Sequence, residues 1–243
     1  MVISDAVQTL ERELREIFGS RLLSLVVYGS RAQPADHGHG AHGHDAAPTH
    51  TLGIVEAMTA DDLRACALRT DAWHTAGLAT PLLIANHEFE QSLDAFPLEF
   101  GAILADHTIV FGANPFASLA IDPADLRHAC EVQARSHLLH LRGGYLESRG
   151  NAGAVSVLIV RSAPAFAALI TGIARLEGHT SDDAASAARH VERLVGMPGS
   201  AIAEVTALAH AHEISSADAE RIFPPYLAAV TKLVAHVDGW SAA

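Results

Sequence analysis

Three residues that could take part in binding or catalysis follow a short apolar run near the start of the chain. Residues 22–28 read Leu-Leu-Ser-Leu-Val-Val-Tyr, and Gly29, Ser30 and Arg31 come directly after them. A nearly continuous apolar run of this length is typical of a strand that is buried on both faces. A glycine at its end lets the backbone turn sharply. A buried strand can deliver a backbone turn to an active site in this way, so we expect a functional site at this turn.

A histidine-rich loop follows the turn. Residues 33–50 contain three glycines, two prolines, two aspartates and five histidines, and they show no hydrophobic period. Imidazole suits Zn²⁺, Ni²⁺ and Cu²⁺ better than Mg²⁺. The candidate ligands for Zn²⁺ or Ni²⁺ are His37, His39, His42, His44 and His50. The composition also fits a low-complexity insertion that chelates metal only in vitro, and a catalytic metal would need supporting groups that a Gly-His loop lacks.

Hydrophobic periodicity predicts the elements that position these residues. Up to residue 111 the predicted order is helix, strand, strand, helix, strand, strand, which favours a small α/β unit with a mixed sheet. The predicted strands are residues 22–28, 51–58, 80–86 and 96–104, with residues 108–111 leading into a turn. A single helix is expected over residues 59–76, because Thr59 is a good cap and acids follow it.

The second half of the chain has helical patterns throughout. Asp122 and Pro123 are a typical helix start, and short breaks separate the helices that follow. Pro224 and Pro225 should kink or split the last helix. We therefore predict two domains, residues 1–121 with the histidine-rich loop, and residues 122–243 as an antiparallel helical bundle.

Two longer motifs accompany the Gly-Ser turn. Residues 92–100 read Ser-Leu-Asp-Ala-Phe-Pro-Leu-Glu-Phe, and residues 139–146 read Leu-His-Leu-Arg-Gly-Gly-Tyr-Leu. With the order helix, strand, Gly-Ser, loop, strand, the chain resembles the DNA polymerase β-type nucleotidyltransferase superfamily, and it is similar to bacterial members of the aminoglycoside nucleotidyltransferase type. The resemblance implies an α+β fold, in which a nucleotidyltransferase-like head with a mixed β-sheet precedes an antiparallel helical bundle.

The resemblance also implies roles for individual residues. Gly29, Ser30 and Arg31 match the turn that holds the phosphates of a nucleotide, so the expected ligand is a nucleotide or another small anion. Glu99 lies on the expected strand at residues 96–104 and matches a catalytic acid of such enzymes. An ion pair between Glu99 and Arg31 is the alternative.

The second strand departs from the superfamily pattern. In such enzymes this strand carries two acids two residues apart, which hold Mg²⁺ against the triphosphate. Here the corresponding positions fall near His50 and Leu52, and no carboxylate lies between Asp45 and Glu56. Without paired acids, Mg²⁺ lacks oxygen ligands and phosphoryl transfer loses its main electrostatic stabilisation. A Mg-nucleotide therefore fits this site poorly.

Composition limits the partners of the protein. The formal net charge is −12 with histidine neutral, which argues against nucleic acid as a partner. No uninterrupted apolar run is long enough for a membrane span, and the first residues lack the order of a signal peptide. We expect a cytoplasmic protein in which Cys66 and Cys130 are free and buried, and alanine-rich helices that would allow a homodimer.

Three functions are consistent with these observations. The first is a degenerate nucleotidyltransferase-fold protein that binds a nucleotide or anion and acts as a regulator. The second is an active nucleotidyltransferase with an unusual metal site, which transfers a nucleoside monophosphate from a nucleoside triphosphate to a hydroxyl. The third is a module that binds Ni²⁺ or Zn²⁺ through its histidine-rich loop.

Overall fold

The chain forms two compact units, Met1–Ile121 and Asp122–Ala243. In this computed structural model, the structure describes residues 3–29, 48–179, 183–197, 199 and 201–240, and the side chain of Glu90 lies outside the description. The elements of the first unit are α1 (Asp5–Phe18), β1 (Leu22–Tyr28), β2 (His50–Val55), α2 (Ala60–Ala67), α3 (Thr70–Thr75), β3 (Leu82–Ala85), α4 (Asn86–Ala95), α5 (Pro97–Ala105) and β4 (His107–Gly112). Those of the second unit are α6 (Pro123–Ser148), α7 (Ala152–Leu176), α8 (Ala184–Leu194), α9 (Ala201–Ala207) and α10 (Ser216–Asp238).

The first unit is built on a mixed four-stranded sheet in the order β3-β2-β1-β4. β1 is antiparallel to both β2 and β4, and β2 is parallel to β3. On one face, Leu25 and Val27 of β1 pack with the apolar side of α1 and with residues of α2 and α3. On the other face, Val26 packs with residues of β2, α4 and α5. β1 is therefore buried on both faces, which confirms the prediction from its apolar run.

The segment at residues 96–104 is a helix and not the predicted strand. Pro97 occupies the first turn of α5, where its missing N–H costs nothing. Phe100 and Ile103, three residues apart, are both buried against the sheet, and this spacing belongs to a helix. The fourth strand of the sheet is instead His107–Gly112.

Two smaller expectations also differ from the structure. The helix predicted over residues 59–76 is divided into α2 and α3. The predicted capping by Thr59 is confirmed, because its hydroxyl accepts the N–H of Asp62 while the Asp62 carboxylate accepts the N–H of Thr59. Pro224 and Pro225 do not split the last helix, since α10 runs on through both. Its buried residues Phe223 and Tyr226 flank the two prolines and pack this stretch into the unit.

The second unit is a helical bundle around α7. Residues 149–151 join α6 to α7, and α7 also packs against α8, α9 and α10. The length and mean hydropathy of α7, 1.8 over its most apolar window, would allow a membrane span. Ile159, Phe166 and Ile173 are fully buried inside the unit, however, so α7 is packed as a core helix. Cys66 and Cys130 are buried and free.

Candidate functional site

Three ring side chains lie side by side where β1 ends. Tyr28 is paired in register with His50, the first residue of β2, and with His107, the first residue of β4. Residues directly opposite each other in a sheet share one face, and the ring centroids of Tyr28 and His50 are 5.6 Å apart. His50 is exposed, whereas Tyr28 and His107 are half-buried. This edge of the sheet, where β1 ends and β2 and β4 begin, brings together residues that are distant in the sequence.

Gly29 follows directly and has a left-handed backbone, with φ of +68°. Its N–H donates a hydrogen bond of 3.2 Å to the carbonyl of Asp106. No described atom lies within 4 Å of the point where a β-carbon would be placed on Gly29. The backbone at Gly29 therefore requires glycine for its conformation, and no described residue fills the space beside it.

Asp106 and His107 connect the end of α5 to this turn. Asp106 is buried, with 8 % of its surface exposed. Nδ1 of His107 lies 3.2 Å from the carbonyl oxygen of Ile103 and 3.1 Å from that of Leu104, so this nitrogen carries the proton and donates. The His107 ring also packs on Phe116, with 4.7 Å between centroids. The final carbonyls of α5 are thereby satisfied next to the residue that holds Gly29.

The electrostatics of this edge favour neutral donors over a hard cation. Burial raises the pKa of the Tyr28 phenol, which keeps its hydroxyl protonated at neutral pH. In the described part of the chain, none of the four strands carries a carboxylate. Nor do the described residues contain a cluster of three or more His, Cys, Asp or Glu side chains arranged to hold a metal. The described strand residues therefore do not fit Mg²⁺ at this edge, and Asp106, the nearby acid that precedes β4, is buried.

The structure brings together some of the predicted site residues. Gly29 and His50 lie at the sheet edge, and Leu52, at the other expected acid position, is fully buried. Glu99 lies in the first turn of α5 and is exposed, so its predicted place on a strand is wrong. Ser30, Arg31, His37, His39, His42 and His44 lie outside the described residues.

Asp106 and His107 were not among the predicted site residues. The signal in the sequence was an Asp-His pair directly before the apolar run at residues 108–111. This pair does not predict a site by itself, because only the pairing of β4 with β1 places it beside Gly29.

A cleft of about 480 Å³ lies away from this edge, near the start of β1. Arg12, Arg15, Gly19, Leu22 and Phe111 contribute to its lining. The guanidinium of Arg15 stacks over the ring of Phe111 at 5.2 Å and also pairs with Glu11 at 3.2 Å. Leu22 and Tyr28 are the two ends of β1, so this cleft is separate from the Gly29 turn.

Comparison with known proteins identifies the fold. No protein-family model matches the chain, and no curated protein matches it in sequence. A similar solved structure is that of the spectinomycin adenyltransferase AAD(9) from Enterococcus faecialis, crystallised with ATP and spectinomycin. The TM-score is 0.56 over 96 % of this chain and 98 % of that one, at 10 % sequence identity. The chain has a nucleotidyltransferase-like fold. At this identity, the similarity extends to the fold and not to the substrates of that enzyme.

Proposed function

We propose that this nucleotidyltransferase-like chain is a pseudoenzyme, which binds a nucleotide or another small anion at the end of β1 and acts as a regulator. The observation that carries the proposal is the absence of carboxylates from the described strands, including both positions of the expected Asp-x-Asp. Phosphoryl transfer depends on cations that neutralise the charge developing on the phosphates. Four strands without a carboxylate provide binding groups but do not offer the paired acidic ligands that such cations need.

The binding groups at this edge suit an anion that arrives without a metal. No described residue fills the space beside Gly29, so a ligand can approach the backbone closely there. His50 is exposed, and the neutral phenol of Tyr28 lies beside it. A protonated phenol and an imidazole N–H can each donate a hydrogen bond to a phosphate oxygen. We therefore expect binding that does not require Mg²⁺.

Calorimetry with ATP, in the presence and absence of Mg²⁺, tests this function. We expect similar dissociation constants under both conditions. A Gly29→Val variant should bind at least about tenfold more weakly, because valine fills the open space and disfavours the left-handed backbone. Gly19→Val is the matched control, since Gly19 has φ of +59° with no described atom near its β-carbon position and precedes the opposite end of β1.

A transfer assay with α-labelled ATP separates binding from catalysis. We expect no label on any small-molecule or protein hydroxyl. Transferred label that disappears in Gly29→Val would contradict the pseudoenzyme proposal, and would support an active nucleotidyltransferase with an unusual metal site. Failure of ATP and inorganic phosphate to bind would overturn the binding function itself.

A second function, Ni²⁺ or Zn²⁺ binding, is favoured by the position of His50. This residue closes the histidine-rich segment and is exposed at the sheet edge. The proposed ligands are His50 with His37, His39, His42 and His44. Titration with Ni²⁺ should give tight binding that is lost when residues 36–45 are deleted and weakened in His50→Ala. Unchanged affinity after the deletion would exclude this function.

A further inference from the structure

Two histidines of the second unit stack where α7 and α8 meet. His179 follows α7 and His190 lies on α8, and their ring centroids are 4.6 Å apart with an angle of 20° between the planes. Nε2 of His179 is 3.2 Å from the hydroxyl of Ser186 on α8. The end of α7 is therefore attached to α8 through a ring stack and a hydrogen bond.

His190 is held as a neutral ring. Its Nδ1 is 3.5 Å from the guanidinium of Arg193 and accepts from it, so Nε2 carries the proton. Nε2 is buried and has no hydrogen-bond partner among the described residues. Burial lowers the pKa of His190, and His179 and Arg193 lower it further, while Glu177 opposes them. A second proton on this ring would meet a stacked imidazole and a guanidinium.

The acidic group near the stack is already engaged. The carboxylate of Glu177, at the end of α7, is 2.7 Å from Nε2 of His236 on α10. This contact ties to α10 the acidic group that counteracts the lowering of the His190 pKa. Lys232, also on α10, donates to the carbonyl of Val195 at 3.4 Å and adds positive charge near the end of α8.

We propose that the stacked pair His179–His190 is a pH-sensitive contact that releases α8 from the end of α7 under mildly acidic conditions. Imidazole ordinarily titrates at about pH 6.5. The stacked His190 resists a second proton because a charge there would face the second imidazole and Arg193. A released ring accepts one more readily, so acid favours the open arrangement.

Opening at α8 would extend to α9. The buried carboxylate of Glu192 on α8 accepts the N–H of Gly199 at 3.2 Å and that of Ala203 at 3.0 Å. The start of α9 is thus held by a side chain of α8. Loss of the stack therefore loosens two helices together, while the contact between α6 and α7 stays in place.

Hydrogen exchange of the full-length protein at pH 7.5 and pH 5.5 tests the proposal, after correction for intrinsic exchange. We expect exchange of the α8 and α9 amides to increase on the order of tenfold at the lower pH. A His190→Phe variant keeps an aromatic stack but cannot be protonated, so its α8 should exchange at the same corrected rate at both pH values. His128→Phe, an exposed position on α6, is the matched control and should behave like the wild type.

Two results would overturn the proposal. The first is α8 exchange in the wild type that is independent of pH. The second is an acid-induced increase that persists in His190→Phe. If that variant does not fold, His179→Phe removes the other member of the pair and must reduce the pH response, whereas an undiminished response would overturn the proposal.

Discussion

At the end of β1, the strand residues next to Gly29 differ in kind from the ligands of a magnesium site. Tyr28, His50 and His107 present rings, whereas Mg²⁺ takes oxygen ligands in octahedral geometry. Leu52 is fully buried in the apolar layer with Val26. An aspartate introduced at residue 52 would therefore be buried in an apolar environment, at a high cost. At this end of the sheet, Leu52 and Val26 pack in the apolar core, and Tyr28 and His50 supply the groups that can form hydrogen bonds.

Gly112 provides a test of backbone geometry at the single-residue level. Its φ is +77°, and a β-carbon there would lie 2.0 Å from the carbonyl oxygen of Leu23. Gly77 has φ of +79° but open space around it. We expect Gly77→Ala to cost about 1 kcal/mol of unfolding free energy, from conformation alone. Gly112→Ala should cost at least about 3 kcal/mol, because β1 and β4 must also separate.

Urea unfolding measures both glycine variants. If Gly77→Ala and Gly112→Ala lower the stability equally, Gly112 does not lie as close to the carbonyl of Leu23 as described. A Gly112→Ala protein as stable as the wild type would contradict the left-handed turn as well.

The stability of the second unit should depend on pH through His137. Its Nε2 contacts the hydroxyl of Tyr226, which is also 3.0 Å from the hydroxyl of Ser162. Burial lowers the pKa of His137 to about 4, with a smaller contribution from His140. The unfolded chain takes up this proton at a higher pH, about 6.5, than the native chain does. The stabilising effect of the neutral ring is therefore complete above about pH 6.5.

The free energy of unfolding of the second unit should then fall by about 3 kcal/mol between pH 6.5 and pH 4. Chemical unfolding at a series of pH values measures this dependence. His137→Gln should be less stable at neutral pH, because it disturbs the contact with Tyr226, and its pH dependence should be flatter. His128→Gln, at an exposed position, should keep the wild-type slope. If the unfolding free energy of His137→Gln depends on pH as steeply as that of the wild type, His137 is not the source of the pH dependence.

At the level of elements, the sequence predicted those with a strong local period. The sequence predicts α1 because Val7, Leu10, Leu14 and Ile17 recur at helical spacing and Gly19 ends the helix, and α1 does span Asp5–Phe18. The run at residues 96–104 was assigned wrongly, since short apolar runs fit a strand or a buried helix equally well. Its helical state depends on packing under the sheet, which the local pattern does not contain.

The same limit applies to the candidate site. Gly29 was predicted because a glycine directly after an apolar run is a local signal. The roles of Asp106 and His107 depend on the pairing of β1 with β4, and these strands are far apart in the sequence. Only the sheet topology places those residues next to the turn.

α5 can be tested by comparing three apolar positions. Phe100 and Ile103 are buried, with 4 % and 3 % of their surfaces exposed, whereas Phe96 is 56 % exposed. Phe100→Ala and Ile103→Ala should each lower the free energy of unfolding by about 3–4 kcal/mol. Phe96→Ala should cost under about 1 kcal/mol. A strand would put residues 96 and 100 on one face and residue 103 on the other, so similar losses at 96 and 100 with little effect at 103 would contradict the helix.

At the scale of the whole molecule, each unit has its own buried core and its own tryptophan. Trp73 is 3 % exposed in the first unit, and its indole N–H donates to Glu13 at 2.6 Å. Trp240 follows α10 in the second unit. The sequence contains two tryptophans, so Trp73→Phe and Trp240→Phe each leave a fluorescence probe for one unit.

The two units should therefore respond separately to a change in one core. Ile159 is fully buried in α7, and Ile159→Ala should lower the stability of the second unit by about 3 kcal/mol. In urea, the midpoint reported by Trp240 should fall, while that reported by Trp73 should not change. Leu14→Ala, in the core of the first unit, should have the reciprocal effect. If the urea midpoints reported by Trp73 and Trp240 shift together in either variant, the chain instead unfolds as one cooperative unit. Ligand binding at the end of β1 would then also stabilise the helical bundle.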